Sequence, residues 1–195
     1  MRIIAGKAKG RNIAEVATST RPTSDRAREA LFSTLTSEFG NFSDLNVLDL
    51  YAGTGAIALE ALSRGAAVVH AIENDEQAQR AIMSNYEALK SAQCEGIFHL
   101  YSQTVNRFLQ DRAVLKYHFI YIDPPYDVED LDVIETLILL ERGGFLDSQA
   151  IVAVERNSRV KEISWPAGFA ALREKNYGQA TIFYGIPQPI EPENG

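Results

Sequence analysis

From Asn46 onward the chain alternates short apolar runs with longer stretches whose apolar residues recur every three or four positions. The runs are Val47 to Leu50, Ala67 to Ile72, Ile97 to Tyr101, His118 to Ile122, Ala150 to Val154, Phe169 to Leu172 and Ala180 to Tyr184. Helical patterns over Ala56 to Arg64, Asp75 to Ser91, Val105 to Arg112 and Val128 to Leu140 separate the first five, with Gly65 closing the first and Gly143 and Gly144 the last. Nearly continuous apolar strands alternating with helices predict an α/β fold: a parallel sheet covered on both faces. Only Arg173 to Gln179, with Gly178, lies between the last two runs. Those two strands are therefore expected to form an antiparallel hairpin at one edge of a seven-stranded, mostly parallel sheet.

Before Asn46 the pattern changes. Arg2, Ile3 and Ile4 precede Gly6, and Arg11, Asn12 and Ile13 follow Gly10, which reads as a β-hairpin with a basic tip. A polar link, Ala17 to Arg21, leads to Pro22 and to Thr23 or Ser24 as a helix N-cap. The helix that follows carries Ala27, Ala30, Leu31, Leu35 and Phe39 on one stripe and is expected to pack as a lid. The expected organisation is an N-terminal extension over 1–40, a main domain over 41–187 and a flexible tail over 188–195, the last rich in Pro, Glu, Asn and Gly.

At 195 residues the chain is long enough for one ordinary core. It contains no run of 18 apolar residues, and its start lacks the apolar stretch of a secretory signal, so neither a membrane span nor secretion is expected. The single cysteine, Cys94, excludes an internal disulfide framework and fits a reducing cytoplasm. His70, His99 and His118 lie in strand-like runs rather than at helical spacing, so no metal site is expected. The net charge is −7, yet residues 1–28 hold seven Lys or Arg against two acids, leaving about −12 on the rest. A basic arm on an acidic body suits local contact with phosphates, although a cationic surface hairpin is the plain alternative.

Two stretches carry chemistry. The first strand runs into Asp49, Leu50, Tyr51, Ala52, Gly53, Thr54 and Gly55, where glycines let the backbone turn tightly and approach a ligand at the start of a helix. Twenty residues after Gly53 the second strand ends in Glu73, Asn74 and Asp75, and a carboxylate there can accept the hydroxyls of a ribose. Gly53, Gly55 and Ala58 with Glu73 also satisfy a dinucleotide fingerprint. The second stretch is Asp123, Pro124, Pro125 and Tyr126, directly after the fourth strand. Consecutive prolines fix the backbone and hold the carbonyls of the turn rigidly. With a carboxylate at Asp123 and an aromatic plate at Tyr126, the turn can grip a flat group bearing an N–H2. A dehydrogenase has no evident use for it, whereas Asp49 can meet the ammonium of S-adenosylmethionine through water or backbone. Tyr51 reads equally as core packing beside the cofactor or as a ligand contact.

Together these residues resemble the class I S-adenosylmethionine-dependent methyltransferases of exocyclic amines, which share an (Asn or Asp)-Pro-Pro-(Tyr or Phe) motif. Within that class the chain is similar to the RsmD family of bacterial 16S ribosomal RNA guanine-N2 methyltransferases. The likeness spans Arg2 to Gly6, Lys9 to Arg11, Arg21 to Glu29, Leu48 to Gly55, Leu59 to Gly65, Asp123 to Tyr126, Arg173 to Lys175 and Gly178 to Gln179. It implies a Rossmann-like fold, S-adenosylmethionine as cofactor, and 16S rRNA in an assembling small subunit as partner, for a monomer in the cytoplasm.

On that likeness Asp49, Tyr51, Ala52, Gly53, Thr54, Gly55, Glu73 and Asn74 hold the cofactor. Where many relatives carry an acid near the adenine this chain has Gln103 and Thr104 instead. Asp123, Pro124, Pro125 and Tyr126 form the catalytic turn, and Arg2, Lys7, Lys9, Arg11, Arg21, Arg26 and Arg28 are expected on RNA phosphates. DNA adenine or cytosine amino-methylation uses the same turn but asks for a target-recognition domain that this length does not provide. A non-catalytic RNA-binding scaffold would not need both motifs intact.

Overall fold

The alternation of apolar runs and helices becomes a seven-stranded sheet, mostly parallel with an antiparallel edge, in a computed structural model that describes residues 1–14, 25–125 and 128–188. The expected positions Arg21 and Tyr126, and the N-cap candidates Thr23 and Ser24, lie outside the described residues. The chain divides into two compact units, Met1–Phe108 and Leu109–Gly195.

In the first unit β1 (Asn46–Leu50) pairs in parallel with β2 (Val68–Glu73), and β2 with β3 (Ile97–Ser102), giving the order β3-β2-β1. Residues Val47 to Leu50 of β1 are all buried, as a strand covered on both faces requires. Helices α1 (Asp25–Phe39), α2 (Ala56–Ser63), α3 (Glu76–Lys90) and the short α4 (Val105–Leu109) complete the unit. The buried residues of α3 are Ala78, Ile82, Asn85 and Leu89, one stripe at helical spacing. Its N-cap is Asp75, whose side chain accepts the N–H of Ala78 at 2.8 Å. On α1 the stripe is Ala27, Leu31, Phe32 and Leu35; Ala30 and Phe39, expected inside, are only half-buried, and Phe32 takes the central place. Phe32 packs on Phe42 with ring centroids 5.7 Å apart and under the guanidinium of Arg64 at 4.7 Å.

The N-terminal hairpin is reduced to a single antiparallel bridge between Arg2 and Asn12. A two-stranded ribbon has little stability alone, so the segment takes its shape from the helix beneath it. Gly6 holds φ +81°, and a Cβ there would lie 1.9 Å from the backbone oxygen of Ser63, so only glycine lets the arm lie on α2.

In the second unit β4 (Tyr117–Ile122) pairs in parallel with β5 (Leu146–Asn157), while β7 (Ala180–Pro187) is antiparallel to both β5 and β6 (Phe169–Tyr177), in the order β4-β5-β7-β6. The helix α5 (Asp130–Arg142) connects β4 to β5. Strand β6 is longer than the apolar run predicted, reaching Tyr177, because an edge strand pairs on one side only and tolerates Arg173, Glu174 and Lys175. No helix among the described residues is long and apolar enough to cross a membrane.

Candidate active site

The glycine loop leaves β1 through Tyr51, a non-glycine residue at φ 62°, and passes Gly53 at φ 55° and Gly55 at φ 75°. At Gly55 a left-handed backbone starts α2 and Ile82 stands 3.2 Å from the position of a Cβ, so glycine suits both the turn and the packing of α3. A Cβ built at Gly53 meets nothing within 4 Å, and the backbone there is open to a ligand. Ala52 is buried and donates its N–H to Ile72 at 3.0 Å, tying the loop to β2. Thr54 is half-buried.

Two carboxylates brace this loop. Glu73 Oε2 accepts the N–H of Gly53 at 2.8 Å, and its Oε1 accepts those of Asn74 and Asp75, each at 2.8 Å. A carboxylate offers roughly four acceptor positions, so about one remains for a ribose hydroxyl rather than the two the sequence suggested. Asn74 itself is exposed beside it. Asp49 is 1% exposed and accepts the N–H of Ala58 at 3.0 Å, capping α2 in place of Gly55, which has no side chain. Burial pushes its pKa up to about 7, the Ala58 bond opposes that, and the nearby Glu73 charge adds to it. Past β3, the hydroxyl of Thr104 accepts the N–H of Arg107 at 3.2 Å as the cap of α4, and Gln103 beside it is half-buried. This donor and acceptor set, with open space at Gly53, fits S-adenosylmethionine.

In the second unit β4 delivers half-buried Asp123, buried Pro124 and exposed Pro125 at its carboxyl end. The N–H of Val128 bonds to the carbonyl of Pro125 at 3.0 Å. Among the described residues nothing donates to the carbonyl of Pro124.

The basic arm divides by exposure. Arg2, Lys9 and Arg26 are exposed. Lys7 is also exposed but paired with Glu95 and, at 3.3 Å, with the carbonyl of Gln93. Arg11 is half-buried and donates to the carbonyl of Ala88 at 2.9 Å. Arg28 overturns its expected role: it is fully buried, with its guanidinium on the carbonyl of Arg2 and on Asp25, the latter at 3.1 Å. A guanidinium enclosed in this way fastens the arm to α1 and cannot reach a phosphate.

The model of the family described as conserved hypothetical protein 95 matches residues 1–186. The chain belongs to this family. Ribosomal RNA small subunit methyltransferase D of Escherichia coli K12 is 34% identical over 180 residues, covering 92% of this chain and 86% of the relative. The solved structure of yhhF from Escherichia coli matches with a TM-score of 0.82 and 31% identity over 96% of this chain and 98% of that one. Magnesium protoporphyrin IX methyltransferase of Synechocystis PCC 6803, solved with bound S-adenosylmethionine, shares the fold at a TM-score of 0.61 and 13% identity, over 84% of this chain and 79% of that one.

The family pattern Leu59 to Gly65 gains a physical reason in this fold. Glu60, fully buried, accepts the N–H of Ile4 at 2.7 Å and of Ala5 at 3.0 Å while pairing with Arg64 at 2.7 Å. Ser63 accepts from the N–H of Ala8 at 3.0 Å and donates to the carbonyl of Ala5 at 2.6 Å. Asn85 of α3 accepts the N–H of Ala14 at 2.8 Å and donates to the carbonyls of Ala14 at 3.2 Å and Thr54 at 3.0 Å. Sequence reasoning missed all three as site supports. For Asn85 the one signal was a polar residue on an otherwise apolar helical stripe, while Glu60 and Ser63 also lay within the Leu59 to Gly65 likeness without a role attached.

Proposed function

We propose that this protein transfers a methyl group from S-adenosylmethionine to the exocyclic N2 amine of a guanine in 16S rRNA, on a partly assembled small subunit. The observation that carries this reading is the acceptor turn at the end of β4, where Asp123 precedes a Pro124 carbonyl that no described residue occupies. The name of the Escherichia coli relative supports ribosomal RNA as the substrate class. When bound, S-adenosylmethionine supplies an electrophilic methyl on sulfur.

An amine on an aromatic ring is a poor nucleophile, because its lone pair is delocalised into the ring. Asp123 and the Pro124 carbonyl accept its two N–H bonds, turn the lone pair out of the ring plane and stabilise the positive charge that grows on nitrogen. The new C–N bond forms as the S–C bond breaks, and the surplus proton passes to Asp123 or to water. Asp49, Glu73 and the loop from Tyr51 to Gly55 would hold the donor, and Tyr126 would stack on the flipped base. Exposed Arg2, Lys9 and Arg26 would meet RNA phosphates.

Asp123→Ala is expected to lower methyl transfer by about 100-fold or more while S-adenosylmethionine still binds. Transfer of labelled methyl to duplex DNA, free 16S rRNA and small-subunit particles is the measurement. Label on rRNA or particles supports the reading, and label on DNA alone, or near-normal transfer by the variant, refutes it.

A further inference from the structure

The acceptor turn is stiff only as far as its prolines make it so. A residue before a proline is held extended, which covers Asp123 and Pro124, but no proline follows Pro125, and its ψ is free unless something holds its carbonyl. Val128 does so, donating its N–H to that carbonyl at 3.0 Å. Val128 is held in turn. Its own carbonyl accepts from Arg156 Nη2 at 2.9 Å, and the same nitrogen donates to Oδ1 of Asp130, the first residue of α5, also at 2.9 Å.

The ladder of β5 explains why Arg156 can reach this segment. β5 pairs with β4 as far as Val154 on Ile122 and then runs on, with Arg156 in register with Thr181 of β7. Val154 and Arg156, two residues apart, lie on one face of the strand. β5 therefore holds the turn at both ends, through the ladder before Asp123 and through a guanidinium after Pro125. The side chain of Arg156 is 11% exposed, and its buried Nε has no hydrogen-bond partner among the described residues. An arginine serving only Asp130, which is 69% exposed, could make that pair in water; enclosing an unpaired N–H costs free energy that the bond to the Val128 carbonyl helps to offset.

We infer that Arg156 is a positioning residue for methyl transfer: it clamps Val128, and through Val128 the Pro125 end of the turn, so that the Pro124 carbonyl keeps its aim at the amine. This rests on the proposed function and extends it to the support of the acceptor. One proline carbonyl is thereby kept occupied and the other kept open. An acceptor that drifts by even about 1 Å loses much of its effect on the transition state.

The experiment measures single-turnover transfer of labelled methyl by the full-length protein to 16S rRNA or small-subunit particles, whichever the wild type labels, alongside the Kd values for S-adenosylmethionine and for RNA. Arg156→Met removes every donor, keeps an apolar stem and leaves no buried charge behind, because Asp130 is exposed. It is expected to slow transfer by about tenfold or more at saturating substrates while both Kd values stay within about twofold. Arg156→Lys, whose ammonium can still bridge the two acceptors, is expected to recover most of that rate. A merely structural role would shrink the fraction of protein that binds S-adenosylmethionine and leave the rate per bound site unchanged, and that result overturns the inference. So does an Arg156→Lys protein as slow as Arg156→Met. If Arg156→Met does not fold, Asp130→Ala decides: it alters an exposed side chain and releases one of the two acceptors, so a loss of about two- to fourfold in rate upholds the inference and a wild-type rate overturns it. Absence of any transfer to RNA by the wild type defeats the proposed function itself and is distinct from these results.

Discussion

Asp49 is a carboxylate with almost no access to water, held between the helix end at Ala58 and the charge of Glu73. Its folded pKa is raised from 3.8 to about 7, so the folded state binds the proton more tightly than the unfolded chain. Stability from this group is therefore greatest below about pH 4 and declines as the pH rises toward 7. A cationic ammonium beside it favours the ionised form, and cofactor binding near pH 6.5 should expel a proton. Calorimetric titration with S-adenosylmethionine in two buffers of different ionisation enthalpy should give different apparent enthalpies for the wild type and equal ones for Asp49→Asn. Buffer-independent enthalpy in the wild type would contradict the placement. Tyr51 adds a second strained feature to the same loop: a left-handed backbone in a residue with a Cβ costs roughly 1 kcal/mol, which the surrounding structure must offset.

At the scale of elements, α2 serves two partners. Its N-terminus is held by Asp49, and Glu60 and Ser63 present acceptors to the N-terminal arm. Glu60→Ala removes the acceptor for two backbone N–H groups and the partner of Arg64, at a cost of about 1–3 kcal/mol for each group left buried and unpaired. Denaturant melts should show that loss, and RNA affinity should fall while S-adenosylmethionine affinity changes little. Equal loss of both affinities would mean that α2 does not divide its work in this way. The strands of this fold were legible because Val47 to Leu50 and Phe119 to Ile122 are buried on both faces, which writes a continuous apolar run into the sequence. Edge strand β6 was half-read, since Arg173, Glu174 and Asn176 are exposed and the stretch looks like a link. The glycine loop and the proline turn were legible from residue type alone. Arg28 and Glu60 were not, because a charged residue looks the same in sequence whether it meets solvent or closes a buried network.

At the scale of the whole molecule, the charge of −7 and the basic arm pull in opposite directions. On the proposed function, phosphates would be attracted to the exposed Arg2, Lys9 and Arg26 and repelled by the acidic remainder, which would orient an RNA as well as bind it. Neutralising one of these three should reduce the slope of log affinity against log salt by about one, without moving the melting temperature. Arg28→Ala should do the reverse, lowering stability and leaving the slope nearly intact, because its charge is enclosed. Binding curves across a salt series, paired with melting curves, separate the two classes.

The amide of Asn85 reaches Ala14 at the end of the described arm and Thr54 in the glycine loop at the same time. One side chain is thus a shared hinge pin for the segment expected to meet RNA and the loop expected to meet the methyl donor. Reciprocity follows from linkage: whatever free energy one ligand gains from a fixed Thr54, the other must gain, equally, through a fixed Ala14. A protein built this way would bind its two ligands cooperatively with no change of shape, and loss of the Asn85 amide, unlike loss of Glu60, would weaken both.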